Sequence, residues 1–227
     1  MGFAISRTMR WSDYQELHWE SNYVDIVQQM AGPRHSHQHQ HRQWEYAMML
    51  HAYGRWFWDH GRSGRLMVGD FGCGVGLSPS IMMSIGNHVT CYEPWVRGNE
   101  EKFQLDALAS TQRKLDHERY DVALCISTLG HISEYQQAWI DLLKTVRPGG
   151  LVFITTDFAE DEEDHYQLAY LRAGKMFTSK TYSELMDVAY DMGFTLHNGD
   201  MDYSWSEENR LVNDYGFASL AMVRNEN

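Results

Sequence analysis

The stretch "LMVGDFGCGVGLS", residues 66–78, constrains this chain more than any other. An apolar run stops at Asp70, and glycines follow at every second position: Gly72, Gly74 and Gly76. Such a turn between a strand and a helix lets backbone approach a ligand without interference from Cβ atoms. From Leu66 onward, apolar runs of strand length alternate with helix-like segments. Strands are expected at 66–70, 88–92, 102–105, 121–126, 151–155, 194–197 and 217–223, and helices at 77–85, 134–145 and 180–192. This alternation predicts a largely parallel sheet covered by helices. "RPGG", 147–150, should end one helix and turn into the next strand.

The glycine turn narrows the ligand. A dinucleotide fingerprint needs a glycine where Leu77 stands, and a phosphate loop needs a following Gly-Lys-Ser/Thr that is missing. The second strand, in "HVTCYEP" (88–94), ends at Glu93, 23 positions after Asp70. A carboxylate at that tip can accept hydrogen bonds from both hydroxyls of a ribose. A phosphate beside Asp70 and Glu93, with no Lys or Arg in the motif, would be poorly compensated. The pattern therefore suits an unphosphorylated nucleoside. Charge points the same way: the formal net charge is −12, and the 19 Lys and Arg form no dense cluster. Nucleic acid is not expected as a partner.

Ahead of the glycine turn, residues 11–30 read as a helix capped by Ser12, and Gly32-Pro33 breaks it. "RHSHQHQHRQ", 34–43, reads as a polar connector, and 44–58 as a mostly buried helix ending in the "DHGRSGR" turn. His35, His37, His39 and His41 alternate within the connector; interleaved Gln and the lack of a nearby Cys argue against a metal site. The acidic run 159–167 reads as a solvated segment. Cys73, Cys91 and Cys125 sit in or at the end of strand-like runs without CxxC spacing, as buried reduced thiols would. With no signal peptide evident and no apolar run near the ~20 residues of a membrane span, a cytoplasmic protein is expected.

The motifs together resemble the class I S-adenosylmethionine-dependent methyltransferases. "LMVGDFGCGVG" resembles their first motif, "VTCYEP" the acidic end of their second strand, and "QLDAL" (104–108) the end of their third. "YDVALCISTLGHI" (120–132) resembles the fourth strand and the turn after it, "LLKTVRPGGLVFIT" (142–155) the next helix, turn and strand, and "SELMDVAYDMGF" (183–194) the helix before the sixth strand. The resemblance covers roughly residues 64–223. It implies a Rossmann-like, doubly wound α/β fold: a mostly parallel seven-stranded sheet with an antiparallel last strand. Residues 64–227 would form the S-adenosylmethionine-binding domain, and residues 1–63 an N-terminal helical cover.

The function implied is methyl transfer from S-adenosylmethionine to a small-molecule acceptor, with an oxygen or nitrogen nucleophile favoured. By resemblance, Asp70 orients the cofactor's amino group, Gly72, Cys73 and Gly74 present backbone, and Glu93, followed by Pro94, holds the ribose diol. Asp106, with Ala107 beside it, meets the adenine amino group; it follows Glu93 by only 13 positions, so a short loop or single helical turn is expected between them. Ser127 faces the methyl site, and His131 is the candidate general base for an acceptor that must lose a proton. Arg42, Trp44, Glu45 and Tyr46 could line the acceptor pocket, or the helix could simply pack with Trp44 and Met48 inward. Two rival readings remain: a domain that binds the cofactor without catalysis, and a nicotinamide-dependent oxidoreductase, which Leu77 disfavours. The acceptor pocket would draw on residues 1–63, 156–180 and 198–214, where the family pattern is silent. Nothing in the sequence sets an oligomeric state.

Overall fold

The computed structural model describes residues 4–10, 12, 23–31, 40–74, 76–93, 117–160, 175–209 and 215–226. In chain order the elements are β1 (Ser6–Thr8), α1 (Tyr23–Ala31), α2 (Gln40–Asp59), β2 (Met67–Phe71), α3 (Leu77–Ser84), β3 (His88–Tyr92), β4 (Tyr120–Ile126), α4 (Tyr135–Thr145), β5 (Val146–Phe158), α5 (Ser179–Asp191), β6 (Phe194–Leu196), β7 (Met201–Asp202) and β8 (Gly216–Arg224). Among the described residues the sheet has eight strands in the order β3-β2-β4-β5-β8-β1-β7, with β6 also pairing β8. The β3-β2-β4-β5 half is parallel. β8 runs antiparallel to β5, to β6 and to β1. The order reverses between β2 and β4, and in open sheets of this kind ligands bind at that point, beyond the carboxyl ends of the strands.

The central strands are buried on both faces, so they read as continuous apolar runs rather than as alternating ones. Val122, Leu124 and Ile126 of β4 point to a core shared with Trp44, Met48 and Trp56 of α2 and with Ile81 and Met82 of α3. Ala123 and Cys125 point the other way, to a core shared with Trp139 of α4 and Tyr182 and Leu185 of α5. Polar anchors fix the helices. Trp56 Nε1 donates to Gly149 O at 3.1 Å, and Trp139 Nε1 donates to Leu185 O at 2.9 Å. Among the described residues no helix is long and apolar enough to cross a membrane.

Three expectations are corrected. Among the described residues the sheet gains two strands that the sequence did not announce, Ser6–Thr8 and Met201–Asp202, beside six of the seven expected. Residues 40–43, expected in the polar connector, form the first turn of α2. Arg147–Gly150 does not separate α4 from a later strand but lies within β5, as a bulge. The register jumps there from Tyr120↔Val146 to Val122↔Leu151, and Gly149 takes φ +71°, which favours glycine. The expected strand 102–105, the segment 13–22 of the first helix, the bulk of the acidic run and His35, His37 and His39 lie outside the described residues.

Candidate functional site

At the carboxyl end of β2, Asp70 is fully buried. Ser78 Oγ, from the first turn of α3, donates to Asp70 Oδ2 at 2.5 Å. Asp70 Oδ1 is equally buried and has no hydrogen-bond partner among the described residues. Burial pushes this carboxyl up to about 7; the Ser78 hydrogen bond opposes the rise and the charge of Glu93 adds to it.

The chain then turns through Gly72 and Gly74 at φ +85° and +52°, with Gly76 at +85° preceding α3. Gly72 has a second reason to lack a side chain: a Cβ there would clash with Thr128 Oγ1. Thr128 Oγ1 in turn bonds Gly72 O at 3.1 Å and Ile126 O at 2.9 Å, locking the glycine turn against the end of β4. Gly74 N–H donates to Glu93 Oε2 at 2.8 Å, so the tip of β3 closes the other side. Cys73 is buried beside Cys91, whose contact, together with burial, raises the thiol's pKa and keeps it neutral. Beneath the turn, Phe71 stacks on Tyr92 with centroids 4.5 Å apart, Tyr120 packs edge-on, and the two tyrosine hydroxyls meet at 2.5 Å.

A second polar cluster joins this edge to α2. Ser127, immediately after β4, donates its hydroxyl to Glu45 Oε1 at 2.5 Å, and Thr155 of β5 donates to the same oxygen at 2.5 Å. Ser127 holds φ +47° while its N–H donates to Thr155 O at 3.0 Å. Glu45 is fully buried, and burial raises its pKa against the opposing charge of Arg42. Asp157, further along β5, is also raised by burial and opposed by Arg42.

The structure thus brings together Asp70, Gly72, Cys73, Gly74, Glu93 and Ser127 at one edge of the sheet. Arg42 and Tyr46 stand next to this edge on α2, with Glu45 making the connection. Trp44 is fully buried in the core beside Met48. His131 is exposed at the end of the 3₁₀ turn Leu129–His131, its N–H bonded to Thr128 O at 2.9 Å. Pro94, Asp106 and Ala107 lie outside the described residues. Sequence reasoning did not assign Glu45 its buried network. One acid inside an otherwise apolar helical stretch was the available signal.

Comparison with known proteins gives a family. A model of the family described as "Methyltransferase domain" matches residues 57–198, more than half of the chain. A ubiquinone biosynthesis O-methyltransferase of Rickettsia conorii is 29% identical over 101 residues, covering 40% of this chain and 35% of that protein. The chain spans between 35% and 43% of the length of the curated relatives it matches. Two solved structures share the fold over nearly its full length. The Burkholderia thailandensis 1,6-didemethyltoxoflavin-N1-methyltransferase, solved with 1,6-didemethyltoxoflavin and S-adenosylhomocysteine, is 18% identical with a TM-score of 0.54, covering 95% of this chain and 89% of that one. The magnesium protoporphyrin IX methyltransferase of Synechocystis PCC 6803, solved with S-adenosylhomocysteine, is 17% identical with a TM-score of 0.54, covering 94% and 98%.

Proposed function

Because the chain belongs to the methyltransferase domain family, we propose that it moves a methyl group from S-adenosylmethionine to a small-molecule acceptor. The observation that carries this reading is Asp70 Oδ1: a fully buried carboxylate oxygen without a hydrogen-bond partner among the described residues, at the end of β2, beside a side-chain-free turn. A buried acceptor of that kind calls for a donor. The cofactor's ammonium group supplies one with matching charge. Glu93 would accept from the ribose hydroxyls, and Gly72 and Gly74 would let the cofactor lie against bare backbone. Asp106, with Ala107 beside it, keeps the adenine-side role that the family resemblance assigns it, and Pro94 its place after Glu93.

When bound, S-adenosylmethionine supplies an electrophilic methyl group on a sulfonium. The protein's part is alignment and exclusion of water. Thr128 fixes the turn against β4, and Ser127, next to it, would border the methyl site. Arg42 and Tyr46 would border the acceptor, and exposed His131 would stand at the rim. The curated relatives carry the name O-methyltransferase, which supports an oxygen acceptor. Three buried free thiols, Cys73, Cys91 and Cys125, suit the reducing cytoplasm.

The test is equilibrium binding of methyl-labelled S-adenosylmethionine, followed by transfer of label to a panel of small phenols and amines. Binding that resists an excess of NAD, with label appearing in a panel member, supports the proposal. Absence of binding, or displacement by NAD, overturns it.

A further inference from the structure

Glu45 has two oxygens in different situations. Oε1 receives two hydroxyl groups, from Ser127 and Thr155. Oε2 is buried and has no hydrogen-bond partner among the described residues. Arg42 Nη1 is 3.9 Å away, beyond hydrogen-bond reach. Because Oε1 already accepts twice, Oε2 is the oxygen at which a proton comes and goes. The Arg42 side chain beside it is 44% exposed, whereas Glu45 is fully buried. The position matters as much as the vacancy in its bonding. Ser127 and Thr128 are consecutive, one holding Glu45 and the other holding Gly72. Glu45 therefore sits two residues' span from the glycine turn, on the α2 side of the sheet edge.

We propose that Glu45 Oε2 receives the hydrogen of the acceptor's nucleophile, and that this nucleophile is a neutral hydroxyl. The inference rests on the methyl-transfer reading above. The surrounding charges select the class. An ammonium group at Oε2 would stand beside the Arg42 guanidinium. A carboxylate or phosphate would meet the like charges of Glu45 and Asp157, both of which act on Arg42. Aliphatic amines are cationic at neutral pH, whereas alcohols and simple phenols are not. On methylation the acceptor oxygen gains the methyl carbon, the carbon–sulfur bond breaks with its electron pair left on sulfur, and the hydroxyl proton passes to Oε2. A base with a raised pKa suits that transfer near neutral pH. Among the described residues the titratable groups facing Glu45 are Arg42 and Tyr46 on α2, Asp157 on β5 and Tyr182 on α5; Tyr215, ahead of β8, acts on Arg42.

The experiment titrates catechol, and separately 1,2-dimethoxybenzene, into protein saturated with S-adenosylhomocysteine, using wild type and Glu45→Gln. The glutamine carbonyl can still accept from Ser127 and Thr155, but its amide cannot accept at the Oε2 position. Wild type should bind catechol about tenfold or more tightly than the dimethyl ether. Glu45→Gln should bind the two alike, with S-adenosylhomocysteine affinity within about twofold of wild type. A second measurement uses wild type alone: catechol affinity should fall on acidification as Oε2 takes its proton, while that of the ether stays level. Equal binding of the two probes by wild type, no catechol binding, a preference kept by Glu45→Gln, or a catechol affinity independent of pH would each overturn the inference. If wild type instead fails to bind S-adenosylhomocysteine, the methyl-transfer reading itself has failed.

Discussion

Gly74 donates its backbone N–H to Glu93 Oε2 at 2.8 Å, tying the glycine turn after β2 to the tip of β3. One carboxylate oxygen thus shapes the turn. The turn and the acid that the resemblance pairs with ribose are therefore one structural unit.

That tie should be visible without any ligand. In Glu93→Ala, amide hydrogen exchange at Gly74 should accelerate, while the β2 amides, held in the ladder with β3 and β4, keep their protection. Unchanged exchange at Gly74 would mean that the hydrogen bond does not hold the turn in solution.

Gly72→Ala should destabilise the fold. The backbone conformation at φ +85° costs a residue with a side chain about 1–3 kcal/mol. The clash with Thr128 adds to that. Thermal melts should show a lower midpoint for Gly72→Ala and partial recovery in the double variant with Thr128→Gly. Recovery stays partial because the φ penalty remains.

Asp70 makes stability depend on pH. An unfolded aspartate titrates near 4, whereas the folded group is pushed up to about 7. Between those values the folded state keeps a proton that the unfolded chain has lost. The stabilisation is complete below about pH 4 and is lost as pH rises to about 7. Three pH units correspond to an upper limit of about 4 kcal/mol. Urea unfolding between pH 4 and 7.5 should show wild-type stability declining, and Asp70→Asn declining less steeply. Glu45 and Asp157, also raised by burial, keep some slope in the variant. Equal slopes would remove Asp70 from the account.

The N-terminal strand depends on a distant amide. Asn209, 1% exposed, donates to Met9 O at 2.6 Å and to Thr8 Oγ1 at 3.2 Å. Asn209→Ala removes both contacts, leaving Met9 O without its side-chain donor while Thr8 Oγ1 keeps Ser204 O, and should cost about 1–3 kcal/mol by chemical denaturation. The loss should be accompanied by faster amide exchange in Ser6–Thr8. Unaltered exchange in β1 would show that its pairing with β8 suffices.

What the sequence made legible follows from locality. β2, its glycine turn and α3 announce themselves within thirteen residues, and β4, α4, α5 and β8 are apolar enough to be recognised alone. β1 is Ser-Arg-Thr, with no apolar residue; it exists because β8 offers a free edge, and Ser6 Oγ reaches Ala221 O across 215 positions. The polar first turn of α2 is helical although composition suggested a linker. The start of β5 hides behind Arg-Pro-Gly-Gly because the bulge at Gly149 keeps the strand in the sheet. The places of Asp70 at the end of β2 and of Glu93 just past β3 were legible from spacing. The partners of Glu45 were not, since Ser127 and Thr155 lie 82 and 110 positions away.

The measurement closest to the central claim is calorimetric titration of S-adenosylhomocysteine into wild type and Glu93→Ala under identical conditions. Loss of a carboxylate holding the ribose hydroxyls removes about 1.5–3 kcal/mol per charged hydrogen bond, or roughly tenfold to a hundredfold in affinity. Saturable wild-type binding weakened to that extent is the predicted result; identical affinities for the two proteins would contradict the account.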